Sequence, residues 1–250
     1  MKFQIVVGNK NEFLQDMEKD VKRILSNYPH KLSQADRGDS KIIEVQSESK
    51  TFEIMKAEVL SRCVSYLLYY VKMRYYKSNI KKFTSQCSHF IMLKVLVFSD
   101  FDKERDEILS KITNANRVVL DGVYNFLIKP FEIDWQRGAT VIGLSVPELK
   151  NADNFKEFVK SMSCTISSKY QILYLFCGVR NMVLSDKLEK VPAIYLESEN
   201  LSGEEKIITT LIENYPMNVA IYEEAKDGIV SEALGILFDV RKNSKSVKSV

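Results

Sequence analysis

The sequence predicts a mixed α/β chain of the α+β type: a small mixed β-α lobe at the N-terminus, a central helical segment, and a C-terminal mixed sheet with helices. Three observations predict it. Short runs rich in β-branched and aromatic residues, FQIVV at 3–7 and YQILYLFC at 170–177, read as strands near the two ends of the chain. Between them, residues 53–82 contain neither Gly nor Pro and repeat apolar residues at intervals of three and four, the period of a helix. The last third mixes capped helical patterns with short apolar runs, so strands and helices share that region.

In chain order, the strand at 3–7 is followed by Asn9 and Glu12, spaced as the N-cap and third position of a helix running to about residue 27. A turn-rich stretch at 35–40 precedes a partly alternating run at 41–46, which predicts a second sheet strand with a partner near 31–35. In the long helix, Leu60, Val64, Leu67, Leu68, Val71 and Tyr75 build one apolar stripe. Residues 87–98 read as a buried helix, with Val95, Val97 and Phe98 leaving a strand open for its second half. Ser99 and Asp102 suit the start of an amphipathic helix to about 112, with Phe101, Ile108, Leu109 and Ile112 on one side.

Beyond it, 117–128 reads as strands around an Asp121-Gly122 turn, and 131–142 and 150–163 as helices. A hairpin returns from the 170–177 strand through 181–185. Ser202 and Glu205 form a capping box for a helix ending near Asn214, just before Tyr215-Pro216, and 218–222 is the next strand. A short helix and a final strand near 236–240 close the pattern. The expected division is 1–115 as an N-terminal β-α and helical region, 116–240 as a C-terminal α/β region, and 241–250 as a basic disordered tail.

With 250 residues the chain can bury about 70–75% of its unfolded surface, so no metal or disulfide staple is needed. Its 45% hydrophobic and 28% charged residues place it among ordinary globular proteins and exclude the disordered and membrane-spanning classes. The apolar run 90–98, interrupted by Lys94, falls well short of the ~20 residues a membrane-spanning helix requires. MKFQIVVGNKNE lacks a cleavage site and reads as a first strand, which predicts a cytoplasmic location. Cys63, Cys87, Cys164 and Cys177 form no CxxC pair and lie in or beside apolar stretches, where a reduced cysteine acts as a small core residue.

The order of elements resembles that of the YtxC-like sporulation proteins of endospore-forming bacteria. The likeness is carried by CVSYLLYYVKMRYYKSNIKKF (63–83), LDGVYNFLIK (120–129), DNFKEFVKSM (153–162) with the YQILYLF strand after it, and EEKIITTLIENYPMNVAIY (204–222). The chain departs from the family pattern at 130–147, where Pro130, Gly138 and Gly143 interrupt an expected continuous helix. The resemblance implies a non-enzymatic accessory or interaction protein of a sporulation programme, with another protein as partner. The family has no assigned active site, so the resemblance carries over no catalytic residue.

The net charge of +3 hides two concentrations of positive charge, at 72–82 and in the tail at 241–250. Arg74, Lys77, Lys81 and Lys82, interleaved with Tyr75 and Tyr76, are the best candidate binding residues, since cations neutralise phosphates while tyrosines stack on bases. Nucleic acid or another polyanion is therefore the alternative partner. The plain reading is that tyrosines at helical spacing pack inward while lysines reach into water. Asp121, Glu132 and Asp134 share a neighbourhood and would serve a hydrolase if the fold paired two of them in a cleft; otherwise Asp121 makes a turn and the others are solvated.

The remaining motifs predict no catalytic group, metal or cofactor. Cys87 and His89 are the only close Cys/His pair, and His30 sits in a turn beside Pro29, which falls short of a metal set or an activated nucleophile. Gly8-Asn9-Lys10 lies between strand and helix, where phosphates bind, but one glycine is too few for a phosphate loop, so a helix cap is expected. Trp135 is expected to pack, and Arg37-Gly38-Asp39-Ser40 to turn. Nothing in the sequence sets an oligomeric state.

Overall fold

The computed structural model describes residues 1–80, 85–177, 181–221 and 228–238. It is a mixed α/β fold: a four-stranded mixed sheet with its helix, long central helices, and a three-stranded mixed sheet with helices.

The first sheet is built from β1 (Lys2–Gly8), β2 (Lys31–Arg37), β3 (Ser40–Gln46) and β4 (Arg117–Val119), in the order β2-β3-β1-β4. Phe3, Ile5, Val6 and Val7 are all buried because β1 is an interior strand, paired antiparallel to β3 and parallel to β4. The β2–β3 hairpin turns at Gly38 and Asp39, where Gly38 takes φ +59°, a conformation that glycine adopts without a Cβ clash. β2 forms one edge, and its largely polar sequence leaves little apolar surface for a stray strand to pair with.

Helix α1 (Leu14–Leu25) buries Leu14, Met17, Val21 and Leu25 on one stripe and packs on α2 (Phe52–Asn79). The expected N-cap at Asn9 does not form. Asn9 does not start the helix: its backbone N–H donates to the Asp39 carbonyl at 2.8 Å and its side chain to the Gly38 carbonyl at 3.3 Å, so it clamps the hairpin tip. The helix begins after Phe13, without a side-chain cap.

α2 is 28 residues long and buried on several sides, with α1, α3 (Gln86–Phe98) and α4 (Phe101–Ile112) packed around it. Of its predicted stripe, Leu60, Val64, Leu67 and Leu68 are buried, while Val71 and Tyr75 are half-buried. α3 is helical throughout, so the strand left open for its second half does not form. Every residue from 91 to 98 is buried, and Ser85 caps the helix by accepting from the Ser88 N–H. Ser99 does not cap α4; its hydroxyl donates back to the Val95 carbonyl at 2.7 Å, and Asp100 turns the chain at φ 54°.

The 117–128 segment does not form strands around a turn. Only β4 is a strand there, and Asp121-Gly122 is not a hairpin turn. The chain continues as α5 (Leu120–Val123), a π-helical turn (Tyr124–Ile128) and a 3-10 turn (Lys129–Phe131) that carries Pro130. α6 (Glu132–Ser145) then runs through Gly138 and Gly143 without a break. β4 joins the first sheet, so the expected boundary at 115/116 falls just before a strand that completes the N-terminal layer.

α7 (Ala152–Ser163) is capped by Asn151, whose side chain accepts from the Asp153 and Asn154 N–H groups. The second sheet follows, from β5 (Ile172–Phe176), β6 (Met182–Leu184) and β7 (Asn218–Ile221) in the order β6-β5-β7, with β7 parallel to β5. α8 (Gly203–Asn214) begins at the predicted box: Glu205 N–H donates to Ser202 Oγ at 3.1 Å and Ser202 N–H to Glu205 Oε2 at 2.8 Å. α9 (Ile229–Leu237) takes in residues 236 and 237 of the expected final strand; 239–250, including the basic tail, lie outside the described residues. One hydrophobic core runs through both layers. Cys63, Cys87 and Cys177 are buried within it, whereas Cys164, expected to be core, is exposed.

Candidate functional site

The end of α2 carries the predicted binding residues, and the fold sorts them by helix face. Arg74 and Lys77 are exposed, Tyr75 is half-buried and Tyr76 is buried. Lys81 and Lys82 lie outside the described residues. Tyr76 meets Tyr75 edge-on at 5.6 Å and Trp135 at 6.4 Å, and Tyr75 meets Trp135 at 5.6 Å. Tyr76 therefore presents no free ring face for a base, and burial pushes its phenol well above the ordinary range. Arg74 lies over the Tyr70 ring at 5.5 Å and donates to its hydroxyl at 3.2 Å.

The first cation of the basic run is inside the protein. Lys72 donates to Glu104 Oε2 at 2.7 Å and to the Ser99 carbonyl at 2.6 Å, while the Trp135 indole N–H donates to Glu104 Oε1 at 2.7 Å. Trp135 is thus a packing residue with its polar atom satisfied. A second such cluster joins α3 to the C-terminal half: Lys94 pairs with Glu199 at 2.8 Å, and the Tyr69 hydroxyl donates to Glu199 at 2.6 Å. Burial lowers the pKa of both lysines from the usual value, against the pull of their carboxylate partners. Sequence reasoning missed both pairs. Lys94 gave a visible signal, standing alone among apolar residues at 90–98.

Arg74 and Tyr75 line a groove of about 370 Å³ with two of the three predicted acids, Asp121 and Glu132. Asp134 does not line it; that residue pairs with Arg137 at 2.9 Å on the surface. One wall is the α2 face from Leu67 to Asn79, and the other is made by Asp121, Tyr124 and Glu132. Asn11 completes the groove. Asp121 follows the end of β4 and Asn11 follows the end of β1, so the groove sits at the carboxyl ends of two parallel strands, where α/β folds commonly bind ligands.

Gly8, the last residue of β1, is needed for this closeness. A Cβ there would lie 3.1 Å from Asn11 Nδ2 and 3.4 Å from Asp121 Oδ2. The Tyr124 hydroxyl donates to Glu132 Oε1 at 3.3 Å. Burial and then the Glu132 charge raise the pKa of both Tyr75 and Tyr124, so both phenols stay neutral beside the carboxylate.

The other candidates separate. Cys87 is buried, with Sγ 3.8 Å from the Ile229 carbonyl, and His30 Nδ1 is 2.9 Å from the Tyr28 carbonyl. Among the described residues no group of three His, Cys, Asp or Glu side chains is placed to hold a metal ion, and no helix is long and apolar enough to cross a membrane.

α6 adds a feature the sequence analysis did not single out. Trp135, Ala139 and Ile142 are buried on one side, while Ile133, Val141 and Leu144 stand out on the other at 61%, 53% and 77% exposure. Phe126, in the turn before, is 79% exposed. In comparisons with protein-family models, with curated proteins and with solved structures, none matches the chain.

Proposed function

We propose that the chain is a non-enzymatic accessory protein that works by binding a helix of another protein on the outer face of α6, in a sporulation programme. The observation that carries this is the set of large apolar residues exposed on the outer side of α6. Ile133, Val141 and Leu144 face outward beside the surface Asp134–Arg137 pair, and exposed Phe126 precedes them, an apolar set of the kind that a partner covers. A helical occupant suits the shape. Gly143 flanks the large residues and an added Cβ there would meet nothing within 4 Å, so a second helix axis can come close on that side, while Arg137 lies between Ile133 and Val141. The sporulation setting is supported by the resemblance of segments 63–83, 120–129, 153–162 and 204–222 to the YtxC-like proteins.

The test compares the full-length chain with its Phe126→Glu, Leu144→Glu variant, by chemical cross-linking in a sporulating bacterium and by sedimentation of each purified protein. Both positions are exposed, so stability should stay within about 0.5 kcal/mol of wild type. A protein cross-linked to wild type and lost from the variant is the expected result. Identical cross-linked products from both would overturn the reading, as would self-association of the purified wild type that the variant abolishes, because the occupant would then be a second copy.

A further inference from the structure

We infer that the groove at the carboxyl ends of β1 and β4 binds a small ligand carrying two ammonium groups and one carboxylate, of the size of a diamino acid such as lysine or ornithine. The inference goes beyond the protein-contact reading and is independent of it, since the two tests alter different residues.

Charge is the first argument. Asp121 and Glu132 bring two negative charges to the groove and Arg74 one positive. Among the described residues Arg74 is in contact with Tyr70 and with no carboxylate, and Glu132 takes only the neutral Tyr124 hydroxyl. The guanidinium keeps most of its five donors available. Two carboxylates and one guanidinium that have no counter-charge among the described residues are complemented by two ammonium groups and one carboxylate, with Arg74 placed to take the carboxylate in bidentate fashion.

Shape and surface give the second. At about 370 Å³ the groove is at the small end of ligand sites, which span roughly 300–1,000 Å³. The half-buried rings of Tyr75 and Tyr124 form its apolar walls, suited to an alkyl chain and to an ammonium lying over a ring face. Both phenols stay neutral, so they accept or donate hydrogen bonds without adding a third negative charge. The bare Cα of Gly8 lets Asp121 sit against the strand end, so one carboxylate is placed by the backbone of the sheet.

The experiment is calorimetric titration of the full chain at about 0.15 M salt. The probes are lysine, norleucine, which lacks the side-chain ammonium, and 1,5-diaminopentane, which lacks the carboxylate. Lysine should bind, and each of the other two about tenfold or more weakly, the usual cost of one lost charge-assisted contact. Asp121→Asn and Glu132→Gln should each weaken lysine by about tenfold, and Arg74→Gln should weaken lysine while 1,5-diaminopentane binds at least as tightly as to wild type. Exposed Glu157 on α7 is the control, and Glu157→Gln should bind as wild type does. The inference is overturned if folded wild type binds none of the three probes, if Asp121→Asn binds lysine as tightly as wild type, or if 1,5-diaminopentane binds as tightly as lysine.

Discussion

Lys72 and Glu104 form an ion pair at 2.7 Å with side chains only 1% and 10% exposed, and the pair ties the middle of the fold together. Lys72 belongs to α2, Glu104 to α4, and the third member, Trp135, to α6. Removing one partner leaves a charge in the core. Lys72→Met should therefore cost about 3–5 kcal/mol, and Glu104→Gln, which keeps an acceptor for the Trp135 N–H, should cost less. Because both single changes break the same contact, the double variant should lose clearly less than their sum in urea denaturation. Strict additivity would show that the two groups do not depend on each other.

This pair also shows where sequence reasoning stops. Lys72 reads as one more surface cation of the 72–82 run, because nothing near it in sequence reveals that Glu104 and the Ser99 carbonyl reach it across the core. Elements set by neighbouring residues were legible: the Ser202/Glu205 box, the 31–46 hairpin and the long helix all follow from spacing within a few residues. Asn9 and Asp121-Gly122 misled for one physical reason. Each makes a good local signal, and each is overruled by a distant contact, Asn9 by the hairpin tip at Gly38 and the 117–128 segment by the parallel pairing of β4 with β1. The candidate groove is legible only in pieces. Arg74, Tyr75, Asp121 and Glu132 all stand out in the sequence, but only the β1–β4 pairing and the packing of α2 bring them to one place.

Leu68 lies on α2 with no exposed surface, in the middle of the buried stripe. Leu68→Ala should cost about 3 kcal/mol through lost burial and the cavity left behind. Leu68→Asp should cost about 4 kcal/mol or more, because an unpaired carboxylate then sits in an apolar site. Thermal melts of the three proteins decide it. An unchanged midpoint for Leu68→Asp would mean that this face of α2 is open to water.

Two buried carboxylates should give opposite pH dependences. Burial raises the Glu213 carboxyl above 4.5, against the pull of Lys169 and the Ile194 N–H, which donates to it at 2.6 Å. The folded chain holds this proton where the unfolded chain has lost it, so its contribution is greatest in acid and declines as pH rises through the folded value. Glu213→Gln keeps an acceptor and cannot ionise, so relative to wild type it should gain stability from pH 4.5 upward. For Glu199, burial alone would raise the carboxyl, but Lys94 and the Tyr69 hydroxyl hold it below 4.5. Its contribution is present at neutral pH and lost as pH falls through the folded value, so Glu199→Gln should be most damaging near neutrality and least in acid. Denaturation series across acid to neutral pH would contradict this if both variants tracked wild type in parallel.

The polyanion alternative for the α2 end makes a salt-dependent prediction. Counterion release gives a slope set by the number of phosphates neutralised, so a site with few cations binds weakly at physiological salt. Of the run's cations, Lys72 is held inside by Glu104, and Arg74 and Lys77 are exposed, while Tyr76 has no ring face for a base. Lys81, Lys82 and the tail at 241–250 lie outside the described residues, so the experiment must include them. The full chain, a variant with Lys77, Lys81 and Lys82 replaced by Glu, and a chain ending at 240 should be titrated with single- and double-stranded DNA and with RNA across a range of salt. If the contact surface is the outer face of α6, as proposed, the expected result is weak binding that vanishes with salt and shows no preference among the nucleic acids. Tight binding by wild type at physiological salt, abolished by the triple change and only modestly weakened by the truncation, would overturn the α6 proposal in favour of the end of α2.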